Sequence, residues 1–115
     1  MLKIAFDKSY KQPLAENHRF PMIKYELIPE QLVRKNICTE SSFFAPPEIS
    51  KKNATLTHGE AYYDHLLDLT LSKADKRQIG FPLTESLVKR ERTISQGSIQ
   101  NSQFALKHGI SMNIA

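Results

Sequence analysis

Leu2, Ile4 and Phe6 alternate with Lys3 and Ala5 ahead of Asp7, which predicts a short strand at the start of the chain. Residues 8–19 are polar, carry Pro13 and read as a loop. From Phe20 to Lys35, the apolar residues Met22, Ile23, Leu27, Ile28, Leu32 and Val33 recur at helical spacing. Pro21 suits a first helical turn, whereas Pro29 removes a backbone donor and predicts a kink or two short helices meeting there. Residues 36–53 read as irregular, because Pro46-Pro47 forbids a helix through that point, and Phe43 and Phe44 are expected to anchor this loop to the core. Ala54 to Thr57 reads as a second strand, and Thr57-His-Gly-Glu60 fits a capping box. A helix over about His58 to Leu71 follows, with Tyr63, Leu66, Leu67 and Thr70 on one face. Residues 72–83 read as a polar connection. Thr84 then caps a long helix from Glu85 to His108, closed by Gly109. Its inner face is expected to carry Leu87, Ile94, Ser98, Ser102 and Ala105, with Gly97 beside them for close approach to a sheet. Ile110 to Ala115 alternates as a third strand.

Strands separated by helices predict parallel pairing and an α/β layer fold with about three strands. The 115 residues suit a single domain, and 40% hydrophobic with 24% charged residues argues against disorder. Cys38 is the only cysteine, which excludes an internal disulfide framework and a four-cysteine zinc site. It reads as a reduced thiol in a cytoplasmic protein. The first residues lack a long apolar segment of the secretory type, and no apolar run is long enough for a membrane span. The net charge of +4 raises nucleic-acid binding as a question. The basic residues are spread out, and the groups Lys73–Arg77 and Lys89–Arg92 contain acidic residues, so a solvated surface is the better reading.

Ligand sites of open α/β sheets lie just beyond the carboxyl ends of the strands, and the sequence stops at Ala115 inside the last one. With that ending, five segments carry a resemblance: Asn17–Met22, Thr55–His58 with Tyr62-Tyr63, Gly80–Leu83, Ser95–Ser98 and Ala105–Ala115. Together they resemble, in order and spacing, the N-terminal third of the histone deacetylase family, the zinc-dependent acetyl-lysine hydrolases of the arginase/deacetylase fold, in its bacterial, class IV-like branch. The resemblance implies that residues 1–115 form one partial domain, the N-terminal part of a parallel-sheet, three-layer fold. In the family, the final strand leads into a Gly-Gly-x-His-His segment that does acid/base work. The zinc ligands and the carbonyl-polarising tyrosine follow later. The resemblance therefore assigns no catalytic residue and no metal ligand to this chain. Zinc belongs to the complete family, and the chain is expected to be an N-terminal fragment, inactive alone.

Two residues carry over as product- or substrate-binding candidates. Arg19 matches the family arginine that lines an internal cavity below the active site, where a buried guanidinium offers a carboxylate a bidentate partner. The alternative is that Arg19 ties the first loop to backbone carbonyls. Tyr10 lies in the loop bordering the same cavity. The family's acidic substrate-binding residue has no counterpart, since Ile79-Gly80-Phe81 stands at that place.

The remaining candidates read as structural. His58 starts a helix. His65 and Asp68 share a helix face but are only two ligands, and His108 suits a helix C-terminus. Glu60 and Glu85 suit helix starts. Asp7 ends the first strand and joins no catalytic pattern. Unpaired strand or helix surfaces are expected to promote self-association. The competing expectation is a self-sufficient protein-interaction module derived from a deacetylase N-terminus.

Overall fold

The computed structural model describes residues 1–115 and shows a mixed α/β chain with three strands, five α-helices and two single 3-10 turns. β1 (Lys3–Ala5), β2 (Phe43–Phe44) and β3 (Ser111–Asn113) form one parallel sheet in the order β2-β1-β3. The central strand is the first in sequence and the best covered: Ile4 and Ala5 are fully buried. Ile4 shares its register with Phe43 and Met112, and Ala5 shares its register with Phe44 and Asn113. Side chains alternate across a strand, so these two rows occupy opposite faces of the sheet.

The second strand lies at Phe43–Phe44, not at the expected Ala54–Thr57. Two aromatic residues suffice because β1 supplies the pairing partner, and Phe6 N donates to Phe44 O at 3.0 Å. Residues 54–57 instead end a short helix, α2 (Lys51–Ala54), which starts where Ser50 Oγ accepts from Asn53 N. The turn continues through His58 N, which donates to Ala54 O, so no strand can form there.

α1 (Lys24–Arg34) runs unbroken through Pro29, so two separate helices do not form. Asn36, at φ 57°, turns the chain after it. α3 (Glu60–Leu67) starts at Gly59 without a side-chain cap, so Thr57 does not form the expected box. α4 (Lys73–Ile79) replaces part of the expected polar connection. Ser72 Oγ accepts from Asp75 N and donates to Asp75 Oδ2, and Gly80 closes the helix at φ 77°. It has no buried residue, which is why no apolar periodicity marks it.

α5 (Glu85–His108) has the expected bounds. Thr84 Oγ1 accepts from Leu87 N at 3.1 Å, and Gly109 closes the helix at φ 91°. Its buried positions are Leu87, Val88, Arg90, Thr93, Gly97 and Asn101, whereas Ser98 and Ser102 are exposed. The inner stripe is thus one residue out from the expected one. Gly97 meets the sheet: a Cβ there would lie 3.0 Å from Asn113 Nδ2, 3.0 Å from Pro46 Cγ and 3.2 Å from Ala5 Cβ. Phe104 packs edge-on against Phe44, and Asn101 reaches Ser111 Oγ at 2.7 Å.

The radius of gyration is 15.6 Å, against about 13 Å for a compact chain of this length. The molecule measures 45 × 36 × 16 Å, a slab. Its accessible area of 7731 Å² exceeds the roughly 6400 Å² expected of a compact protein of this mass. No helix is long and apolar enough to cross a membrane.

Candidate functional site

The carboxyl ends of β1 and β3 hold the most developed polar cluster. Tyr10, in the 3-10 turn Lys8–Tyr10 that follows β1, is fully buried. Its phenol donates to Asn113 Oδ1 at 3.1 Å, tying the loop after β1 to the end of β3. Its carbonyl accepts from Arg90 Nε at 2.6 Å. Burial, with the nearby Asp7 carboxylate, pushes the phenol up to about 12 and keeps it protonated.

Arg90 is the buried arginine of this fold, 4% exposed. Besides Tyr10, it donates through Nη2 to Tyr25 Oη at 2.8 Å and through Nη1 to the Glu91 carboxylate. Its guanidinium also lies 5.1 Å from the Tyr25 ring centre. All three guanidinium nitrogens are therefore engaged, which is what lets the charge remain inside. Pattern reading missed Arg90 because Lys89-Arg90-Glu91-Arg92 looks like a solvated helix face. The one available signal was its position, three residues beyond the buried Leu87.

Arg19 stands differently. It is exposed and makes no hydrogen bond or ion pair within the chain. Its neighbours are ordered: His18 Nε2 lies 3.2 Å from Gly80 O and its ring stacks on Phe81 at 5.4 Å, while Phe20 meets Phe81 edge-on at 5.3 Å. Phe20 also stacks on Tyr25, and Phe6, Leu14, Phe81 and Ile94 pack around Tyr10, Met22 and Tyr25. The first loop is thus held to the 80–81 loop by the residues flanking Arg19 rather than by Arg19.

An open groove of about 1020 Å³ runs beside this cluster, between α5 and the α2–α3 segment. Twelve of its nineteen lining residues are hydrophobic, with Ile49, Leu56, Tyr63, Val88 and Ile99 among them. Phe81 and Ile94 serve both the groove and the Tyr10 cluster. Arg92 holds the rim: it donates to Glu48 Oε1 and Ile49 O, both at 3.0 Å, while Ile49 N donates to Arg92 O. His58 and Tyr62 also line it, with ring centres 5.7 Å apart. The groove can hold an apolar group, and its ionisable lining residues besides the tyrosines are His58, Glu91 and Arg92.

No three His, Cys, Asp or Glu side chains come close enough to hold a metal ion. His65 Nδ1 is 2.8 Å from Thr70 Oγ1, so that ring has a local partner. A three-ligand zinc centre does not fit the residues of this chain taken alone.

No family model matches the chain. Over 112 residues it is 30% identical to an uncharacterized protein of Picosynechococcus sp.. The match takes in 97% of this chain and 37% of that protein, so the chain spans little more than a third of its relative's length.

Proposed function

We propose that the chain is the N-terminal segment of a zinc-dependent, deacetylase-like hydrolase of the arginase/deacetylase fold, acting on acetyl-lysine or related amides. One observation supports this above the rest. Three of the five resembling segments, Thr55–His58 with Tyr62-Tyr63, Gly80–Leu83 and Ser95–Ser98, contribute residues to a single groove. The packing of α3 and the 79–81 loop against α5 brings these segments together on one surface, as a shared substrate-binding face requires.

In this reading zinc supplies Lewis-acid polarisation and an activated water when bound. Its ligands and the acid/base histidines come from outside this chain, so residues 1–115 bind and position only. The groove offers an apolar wall to an acyl group. Tyr10, held protonated, and Arg90 fix the loop behind it. Arg19, free of partners, is available to a carboxylate. The finer architecture, a three-layer domain of which this is the first part, and a cytoplasmic location belong to the same proposal. A second reading, an interaction module descended from such a segment, draws on the exposure of Leu56 (80%) and Leu106 (91%).

The test is a chimera in which this chain replaces the matching 37% of the Picosynechococcus protein. The parent and the chimera are expected to bind zinc stoichiometrically and hydrolyse acetyl-lysine peptides, and the 115-residue chain alone to do neither. A folded parent protein without zinc or amide hydrolysis sinks the deacetylase reading.

A further inference from the structure

A second concavity, of about 420 Å³, lies along an exposed side of α1 and shares no lining residue with the larger groove. Its walls are Leu27, Ile28, Leu32 and Ile37, with Lys24 at one end and Lys35 at the other. The reversal after α1 builds it. Asn36 takes the left-handed conformation at φ 57°, Asn36 N donates to Val33 O at 2.9 Å, and Ile37 N donates to Leu32 O at 3.0 Å. These two bonds fold Ile37 back beside the last turns of the helix. Leu27 stays 45% exposed and Ile37 57% exposed.

The two lysines lack counter-ions. A solvated helix face is stabilised by acids three or four residues from its bases. The α1 residues at those spacings are Leu27 and Ile28 for Lys24, and Leu32 and Gln31 for Lys35. Neither lysine joins an ion pair, and no acid lines the groove: Glu26 is paired with Lys11, and Glu30 lies outside it. Lys24 is also held in place, its Nζ 5.1 Å from the Phe20 ring centre and 4.9 Å from that of Tyr25. Lys24 and Lys35 are three turns apart on one helix, about 16 Å.

We infer that this groove takes a helical segment of a partner protein, acidic at both ends and apolar between. Apolar side chains at helical spacing pack between Leu27, Ile28, Leu32 and Ile37, and carboxylates three turns apart reach Lys24 and Lys35. The charge selects the occupant. A second copy of this chain would bring lysine against lysine in a two-fold pair, so the groove disfavours itself as a partner. A lipid surface is flat and bridges a concavity, whereas the side-chain ridge of a helix enters it. The inference stands independently of the deacetylase reading, because the two grooves have no residue in common.

The experiment titrates the 115-residue chain into a labelled, alanine-based helical peptide with glutamates three turns apart and leucines between them, and into the same peptide with lysines for glutamates. The acidic peptide is expected to bind at least about tenfold more tightly than the basic one, with an affinity that falls as salt rises. Lys35→Glu should remove the preference, and Leu27→Ser should weaken the acidic peptide. Both positions are exposed, so helical circular dichroism and the melting temperature should be unchanged. Equal binding of the two peptides overturns the inference, as does a preference untouched by Lys35→Glu. Capture of the chain by phosphatidylserine vesicles without binding of the acidic peptide assigns the face to a membrane and also overturns it. A folded chimera with the Picosynechococcus protein that no longer binds the peptide shows that the rest of the longer protein covers α1, and overturns it too.

Discussion

Gly97→Ala sets helix propensity against packing in the middle of α5. Alanine in a helix interior is favoured over glycine by about 1 kcal/mol, so propensity alone forecasts a more stable protein. The new Cβ, however, lands 3.0 Å from Asn113 Nδ2, 3.0 Å from Pro46 Cγ and 3.2 Å from Ala5 Cβ at once. Ala5 belongs to the central strand and Pro46 follows the edge strand, so neither is a flexible side-chain tip. Asn113 is no freer. Its Nδ2 donates to Ile94 O at 3.0 Å and its Oδ1 accepts from Tyr10 at 3.1 Å, so a swing away breaks bonds worth about 1 kcal/mol each. Overpacking of this kind costs about 1–3 kcal/mol, and with a lost bond it exceeds the propensity gain. The expected net effect is a loss of about 1–2 kcal/mol, read as a lower urea midpoint with an unchanged slope. Gln103→Ala, on the exposed side of α5, serves as control and should stay within about 0.5 kcal/mol of wild type. A Gly97→Ala protein at least as stable as wild type would refute the claim that this glycine sets the distance between helix and sheet.

Arg90→Met should cost roughly 3 kcal/mol in a denaturant titration, because the Tyr10 carbonyl and the Tyr25 hydroxyl lose their partner inside the protein; a loss under about 1 kcal/mol would show that water replaces the guanidinium. The Tyr10 phenol, pushed up to about 12 in the fold from an ordinary value near 10, keeps its proton where the unfolded chain has lost it. Its contribution is therefore complete below pH 10 and is lost as pH rises towards 12, at up to about 1.4 kcal/mol per pH unit. Tyr10→Phe should flatten that alkaline fall in thermal unfolding, and an equal fall in the variant would assign it elsewhere. Pro29→Ala restores a donor for the Tyr25 carbonyl within α1 and should stabilise the protein by about 1–3 kcal/mol; a lower melting temperature would mean the proline ring is needed for packing.

Much of the fold was readable where a local rule stood alone. Thr84 and Gly109 bracket α5 because capping and left-handed closure are decided within a few residues. β1 and β3 alternate visibly in sequence, although Ile4 and Ala5 bury both faces of β1 and β3 is half-buried throughout. The second strand was misplaced because Phe43-Phe44 is too short for any pattern, and only pairing with β1 makes it a strand. α4 went unread because it buries nothing. Of the two candidate residues, Tyr10 lies in the buried cluster beneath the strand ends, while Arg19 is exposed and Arg90 takes the buried position.

The sequence by itself determined the class of fold: strands parted by helices, and a long capped helix. The tertiary structure alone decided which face of α5 turns inward and which arginine is buried. Helical spacing leaves the inner stripe ambiguous by one residue when its members are small, and the contact with Ala5 and Pro46 settles it at Gly97. A guanidinium can be buried only where several fixed acceptors converge, and Tyr10 O, Tyr25 Oη and Glu91 are brought together by three separate elements.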